Sequence, residues 1–441
     1  MAAAVVFSKS PEVFAEEAPE LGVTFEAGEA EKEEFNALID NDLETVMEFP
    51  AGTFLKLTTA DEICGIYVMW DAEGIPGEWT LSYGDESKEC GKEGFLHEFV
   101  ELPKGYTECT LTFPKNAGIC ELILYGEGEI PSTVQKWERL QRDADILVFV
   151  PHSGDEIIDY GAIAAIYGGE KDLYLQFVYM CEYVTSEEKI KEHEILDSLW
   201  RLGVKYYPVG GSFRNKRLTS LSLAEKFYGK DNVLRFVTEN IRKYRPLVVV
   251  SPDYGGEYGN GTHILLANAI TDAVNHTGDP EYYAEMAKKY GTWDVPKTYV
   301  HKYRYKTEGT ITFDLEKGIK ELLERTIAEK LTDTWCGTHF TNARYTLADA
   351  AYFGLYRSTV GADTGNDLTE NVVTYEEQAR IAAEEARQRE EYERLKAYYE
   401  EQLKIAARCG QYIFGRHTFS KLGELSKEKN AMSGTTFNNE D

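Results

Sequence analysis

An imidazole and a carboxylate three residues apart, His152 and Asp155, stand in the run Pro151-His152-Ser153-Gly154-Asp155-Glu156, directly after the apolar pentamer Ile146-Leu147-Val148-Phe149-Val150. A continuous apolar run of this length reads as a central parallel strand, and in open α/β sheets ligands bind just beyond the carboxyl ends of such strands. At a strand-to-helix corner the two side chains can reach one metal ion of zinc type. The same layout returns about a hundred residues later. Leu247-Val248-Val249-Val250 leads through the Gly-rich loop Ser251-Pro252-Asp253-Tyr254-Gly255-Gly256-Glu257-Tyr258-Gly259-Asn260-Gly261-Thr262 to His263 and an apolar helical stretch, Ile264 to Val274. A Gly-rich connection lets backbone approach a ligand closely and brings His263 to the same sheet edge. Three ligands of His, Asp and His type with an open fourth position make a catalytic rather than a structural zinc site.

These elements imply an α/β domain with a mainly parallel sheet and helices on both faces. The pattern predicts strands at Ile146 to Val150, Leu173 to Met180, Lys205 to Val209, Leu247 to Ser251 and near Thr298 to Tyr303. Between them it predicts helices at Glu156 to Tyr167, Glu187 to Leu202, Ser222 to Tyr244 and Thr262 to Val274, the second with a capping box of Thr185 and Glu188. Residues 20–130 have a different texture: short β-branched and aromatic segments at Thr53 to Thr58, Glu62 to Trp70, Glu78 to Tyr83, His97 to Leu102, Thr107 to Phe113 and Ile119 to Tyr125, an all-β sandwich pattern. Residues 131–142, with Trp137, read as a polar linker. Residues 372–409 read as a long charged helix with the composition of a self-associating stalk, and 410–441 as a polar disordered tail.

The two histidine-bearing segments resemble the two signatures of the PIG-L / LmbE-like N-acetylglucosaminyl de-N-acetylase family, whose first motif reads P-H-P-D-D-E and whose second ends H-P-D-H or, in one branch, G-E-Y-G-H-x-x-H. The likeness runs from about Asp143 to Asn371 and implies a Rossmann-like α/β domain over residues 143–371. It includes Leu199-Trp200-Arg201-Leu202-Gly203-Val204 with Tyr207-Pro208, Tyr290-Gly291-Thr292-Trp293 and Phe353-Gly354-Leu355-Tyr356-Arg357-Ser358, which point to a bacterial branch. The resemblance implies metal-assisted hydrolysis of an acetamide on an amino sugar, with Zn2+ or another divalent metal on His152, Asp155 and His263. Lys191, Glu257 and Tyr258 are then the candidate substrate contacts.

The departures from that pattern fall on the proton-handling groups. The family's general base precedes its metal-binding Asp, and that place is Gly154. Asn260 replaces the histidine that stabilises the oxyanion, Thr262 replaces the second motif's Asp, and Lys191 stands for an arginine, keeping charge but losing the bidentate fork. A positioned base is worth about 10²–10⁴ in rate and one oxyanion donor about 10²–10³. Asn260 can donate through its amide, and Glu156, Asp253 or Glu257 are substitute bases; each of the three acids also has an ordinary reading, as helix N-terminal charge or loop acceptor. The expectation is reduced deacetylation. The alternative is an inactive protein that binds metal and an N-acetylated glycan.

A net charge of −29 argues against nucleic acid and strongly anionic partners and suits a neutral glycan. No stretch approaches a membrane span. The start, Met1 to Val6, is too short for a signal peptide, so an exported protein would have lost its signal; the expected location is bacterial and extracytoplasmic, with the cytoplasm as alternative. The seven cysteines show no C-x-x-C spacing, and the four within the first 130 residues are able to pair if the protein is exported. The sandwich resembles the discoidin-like, galactose-binding-like jelly roll. It reads as a glycan-binding module with Trp70, Trp79 and Tyr106 as stacking candidates, or as a packing domain with those aromatics in its core. His193, His276, His301, His339 and His417 lack partners at ligand spacing, the sequon Asn260-Gly261-Thr262 coincides with the metal loop, and Cys336 with His339 lacks an activating third group.

Overall fold

The computed structural model describes residues 16–28, 34–182, 190–303, 310–333 and 347–409, and the chain divides into two units, Met1–Val372 and Val373–Asp441. The expectations at Thr185 and Glu188, at Cys336, His339 and His417, and over the tail lie outside the described residues.

The first unit opens with nine strands, β1 (Val23–Glu26), β2 (Met47–Phe49), β3 (Thr53–Thr59), β4 (Gly65–Trp70), β5 (Trp79–Tyr83), β6 (Glu86–Cys90), β7 (His97–Glu101), β8 (Glu108–Phe113) and β9 (Ala117–Tyr125). They form two antiparallel sheets, ordered β1-β3-β8-β5-β6 and β2-β9-β4-β7. Alternation drives the packing: Leu55 and Leu57 of β3 and Trp79 and Leu81 of β5 turn inward, leaving their neighbours partly exposed. Trp70 and Trp79, one from each sheet, meet edge to face with centroids 5.8 Å apart and are fully buried. Both indoles donate to Glu98, at 3.3 and 2.8 Å. This corrects the stacking reading for the two tryptophans, which are core; Tyr106 stays half-buried on Tyr83 at 5.0 Å.

The third sheet of the unit comprises β10 (Ile146–Val150), β11 (Leu175–Tyr179), β12 (Val248–Ser251), β13 (Lys297–His301), β14 (Thr310–Asp314) and β15 (Ala350–Ser358), in the order β11-β10-β12-β13-β15-β14. The first four run parallel, while β15 and β14 add on antiparallel, so the sheet is mixed. Around it lie α1 (Asp155–Ile158), α2 (Gly161–Ile163) continued by a π-helical turn Ala164–Glu170, α3 (Ile190–Arg201), α4 (Leu221–Tyr228), α5 (Lys230–Tyr244), α6 (Gly261–His276), α7 (Ala284–Tyr290) and α8 (Ile319–Asp333). Leu147, Phe149 and Val249 face a core built with Val237 and Ile241 of α5 and Leu266 and Ile270 of α6. Ile146, Val148 and Val150, pointing the other way, are buried as completely, which is why β10 reads as unbroken apolar sequence.

Three expected elements differ. The helix expected over Glu156 to Tyr167 divides into α1, α2 and the π-helical turn, with a break at Asp159 and Tyr160. The helix expected over Ser222 to Tyr244 breaks at Gly229, whose φ of +80° ends α4 and starts α5. The strand expected at Lys205 to Val209 makes only single bridges, Tyr206 to Glu138 and Val209 to Val178. Residues 131–142 are a packed seam instead of a loose tether: Trp137 is buried edge-on against Trp200 (5.2 Å) and Tyr207 (5.5 Å). Across the same seam His97 Nε2 of β7 meets His193 Nδ1 of α3 at 2.8 Å.

Among the described residues Cys64, Cys90, Cys109 and Cys181 are free thiols, so no disulfide joins Cys64, Cys90 and Cys109 of the sandwich. No helix among the described residues is long and apolar enough to cross a membrane. The second unit contains α9 (Tyr375–Cys409), laced by ion pairs such as Arg380 to Glu377 at 2.6 Å.

Candidate metal centre

Because β10 and β12 are adjacent and parallel, the loops that leave them emerge at one sheet edge. On the first loop Gly154 takes φ +106° and ψ −33°, a left-handed turn that folds the Asp155 carboxylate back so that Oδ2 accepts the His152 backbone N–H at 3.0 Å. On the second, Asn260 caps α6 by accepting the Thr262 N–H at 2.9 Å. Gly261 lets the start of α6 press on α4's N-cap: a Cβ there would stand 2.1 Å from the Ser220 carbonyl oxygen. The first turn of α6 thereby delivers His263, almost fully buried, to the loop of His152.

Three ligand atoms converge. His152 Nδ1 lies 3.1 Å from His263 Nε2 and 3.5 Å from Asp155 Oδ2, and His263 Nε2 lies 3.4 Å from the same carboxylate oxygen. A tetrahedron of zinc ligands at about 2.0–2.1 Å has edges of roughly 3.3–3.4 Å, so the spacing and the two-nitrogen, one-oxygen donor set both fit a zinc-type ion. Burial works against a charged His152, but Asp155 and the Cys181 sulfur near the ring outweigh it and raise its pKa to about 10. The field that favours an imidazolium there also favours a cation.

Behind the triad stands a second layer. Glu257 is fully buried and accepts from His263 Nδ1 and His301 Nδ1, both at 2.7 Å, and from the Asp253 N–H at 2.9 Å. Burial would raise its pKa, yet hydrogen bonds from the two imidazoles outweigh it and hold the carboxyl well below the usual range. An ionised Glu257 accepts the hydrogen bond of the His263 Nδ1–H and leaves the Nε2 lone pair facing the triad, the carboxylate–histidine–metal arrangement. Asp159, in the first turns after the loop, is pushed the other way, by burial and then by the charges of Glu257, Asp155 and Glu156. Its Oδ2 is buried without a hydrogen-bond partner, and Asp159, Glu257 and His301 form a second tight group behind the first.

The remaining candidates sort by accessibility. Glu156 is fully buried and accepts the Gly154 N–H at 2.5 Å, so it is closed to an incoming water and is no substitute base. Asp253 uses one oxygen on the Gly255 N–H (2.7 Å) and the other on the Tyr303 N–H (2.9 Å), a loop acceptor. Glu257 is buried behind His263 and makes no surface a substrate can touch, which corrects its assignment as a substrate contact. Asn260 commits its Oδ1 to the helix cap, leaving the amide nitrogen as its donor end. Tyr258 is 63% exposed at the mouth, with its ring 4.7 Å from that of Tyr303. Lys191 stands half-buried in the first turn of α3. The sequon is closed: Thr262 is fully buried and Asn260 is the cap.

His301 and Asp159 escaped the sequence reading. Both had a signal. His301 ends β13, the next parallel strand along, so the strand-end rule that singles out His152 applies to it as well. Asp159 follows Asp155 by four residues, one helical turn.

No protein-family model matches the chain. Among curated proteins, 1D-myo-inositol 2-acetamido-2-deoxy-alpha-D-glucopyranoside deacetylase 2 of Saccharopolyspora erythraea is 35% identical over 114 residues, 24% of this chain and 40% of that protein. The chain thus matches less than half the length of this curated relative. Among solved structures, N,N'-diacetylchitobiose deacetylase from Pyrococcus horikoshii aligns with a TM-score of 0.35 at 20% identity, over 44% of this chain and 72% of that one. CBM32 of AlyQ in complex with 4,5-unsaturated mannuronic acid aligns with a TM-score of 0.21 at 10% identity, over 25% of this chain and 99% of that one.

Proposed function

We propose that the protein is a zinc-type metal-binding relative of sugar N-deacetylases that engages an N-acetylated amino sugar at the β10–β12 edge and cleaves its acetamide slowly. The observation that carries the reading is the triad of His152, Asp155 and His263, whose mutual spacing matches the edges of a zinc tetrahedron. The partial identity to a sugar-amide deacetylase supports the substrate class.

His152, Asp155 and His263 would hold a divalent ion, which would supply Lewis acidity toward an amide carbonyl and a water. The chain supplies the rest. Glu257 fixes the ring of His263 in one tautomer and one orientation. Gly154 offers no carboxylate where the attacking water would give up its proton, and its own N–H is turned to Glu156. Asn260 has one amide end left for a developing oxyanion. With the base absent and the oxyanion donor reduced to an amide, turnover falls by at least about 10³ against a site with both groups. The closed positions of Glu156 and Glu257 favour this over recruitment of a substitute base.

Elemental analysis of the purified protein together with acetate release from N-acetylglucosamine-type sugars tests the reading. One zinc-type ion per chain, lost in His263→Ala, with slow metal-dependent acetate release is expected. Metal without any release leaves a metal- and glycan-binding protein, and absence of metal at the triad overturns the proposal.

A further inference from the structure

Exposed aromatic side chains on a folded surface are ordinarily scattered, but the loop after β12 carries two in pairs: Tyr258, and Tyr254 with Tyr356, whose hydroxyl meets Asn275 about three turns along α6 from His263. Tyr258 and Tyr303 form one pair at the mouth, with centroids 4.7 Å apart. A second pair leads away. Tyr254, 37% exposed, lies edge-on to Tyr356 of β15, 41% exposed, with centroids 6.0 Å apart. Asp253 couples the two pairs, since it precedes Tyr254 and accepts the Tyr303 N–H.

Both pairs are held in place. Tyr258 keeps a left-handed φ of +58°, uncommon for an aromatic residue, so the loop holds that ring outward at a backbone cost. The Tyr356 hydroxyl accepts a hydrogen bond from the Asn275 side chain at 2.9 Å, which fixes the ring while its surface stays open. Lys302 Nζ sits 5.5 Å from the Tyr254 ring centroid and steadies it from one side. Rings fixed in this way present apolar surface with a polar rim at little entropic cost, which suits the C–H face and hydroxyl edge of a pyranose.

We infer that Tyr254 and Tyr356 form a second sugar subsite, so that the ligand of the metal edge is an oligosaccharide chain and not a monosaccharide. The inference rests on the reading of that edge as a site for N-acetylated sugars. Calorimetric titration of the zinc-loaded protein with N-acetylglucosamine, its β-1,4 disaccharide and tetrasaccharide is the test, with acetate release followed in parallel. The tetrasaccharide is expected to bind at least about tenfold more tightly than the monosaccharide. Tyr254→Ala and Tyr356→Ala should each remove most of that gain and leave monosaccharide affinity unchanged, while Tyr254→Phe keeps it. Both positions are surface ones, and unchanged thermal unfolding of the variants separates a lost subsite from a lost fold. Equal affinity for all three sugars, or alanine variants that retain the gain, overturns the subsite. Chain-length preference without acetate release leaves the subsite standing and removes the catalytic reading; acetate release without chain-length preference does the reverse.

Discussion

Two buried histidine pairs in the first unit differ by one residue between them. At the metal edge His263 and His301 are joined through Glu257, each at 2.7 Å. At the seam His97 and His193 touch directly at 2.8 Å, with the Tyr67 hydroxyl 2.7 Å from the other nitrogen of His97. A carboxylate between two imidazoles fixes their protons and turns a lone pair of His263 outward, so that pair prepares a ligand. Without a carboxylate, burial dominates: His193 is lowered to about 3, and His97, by burial and then by His193, falls well below its ordinary value. A buried histidine becomes a metal ligand or a structural hydrogen bond according to what stands on its far side.

The sharpest way to break the comparison is to remove the carboxylate. Glu257→Ala leaves two buried imidazoles without their acceptor and should destabilise the protein by about 3–5 kcal/mol, as removal of one partner from a buried pair does; urea unfolding measures it. Glu257→Gln is the gentler probe. It keeps the volume but serves only one imidazole as acceptor, and zinc affinity should drop about 10–100-fold in a chelator competition. An unchanged affinity would mean that His263 is oriented by its helix alone.

The seam pair responds to pH. Both imidazoles are neutral in the fold, whereas in the unfolded chain they protonate near 6.5. Because their folded pKa values are depressed, the unfolded state binds more protons below that point, so stability is full above pH 6.5 and falls as the pH drops toward 3. Each pH unit below 6.5 costs about 1.4 kcal/mol per imidazole. Urea unfolding at pH 7.5, 6.5 and 5.5 should show the loss, and His193→Gln should flatten it. A slope unaffected by His193→Gln would assign the acid sensitivity elsewhere.

Restoring a carboxylate on the first loop sharpens the picture differently. Gly154→Asp would put a side chain on a residue at φ +106°, a strain of about 1–3 kcal/mol. The geometry predicts that Gly154→Asp lowers the urea midpoint and recovers little, because the loop must first leave its left-handed turn. A stable and strongly activated variant would show that the loop changes conformation at low cost.

The legible parts of this site were those encoded locally. His152, Asp155 and His263 follow apolar strands at short, fixed spacing, so a strand-end rule finds them. The direction of Glu257 is not legible, because a Gly-rich loop gives no periodicity from which to read inward or outward. The link from Glu257 to His301 spans 44 residues and depends on β13 lying beside β12, a register that no local pattern states. In the sandwich, β5 is legible by its alternation and β4 by an unbroken apolar run. By contrast, β6 (Glu86-Ser87-Lys88-Glu89-Cys90) is a charged edge strand with four exposed residues and carries no apolar signal. Trp70 and Trp79 fitted either a core or a binding face until the second sheet was seen to cover them.

The smallest effect concerns Asn260, where the sequence suggested an oxyanion donor and the structure shows a helix cap. The two roles use opposite ends of one amide. Oδ1 accepts the Thr262 N–H, and only Nδ2 remains to face a substrate. Asn260→Asp keeps the cap and abolishes the donor, whereas Asn260→Ala abolishes both. If capping is the whole role, Asn260→Ala should cost about 1 kcal/mol in urea unfolding, Asn260→Asp only a few tenths, and acetate release should follow stability alone. If the amide also donates, Asn260→Asp should lower kcat while leaving stability and zinc stoichiometry intact. The direction of that split decides whether the second loop contributes to the reaction itself or only carries His263 to the metal.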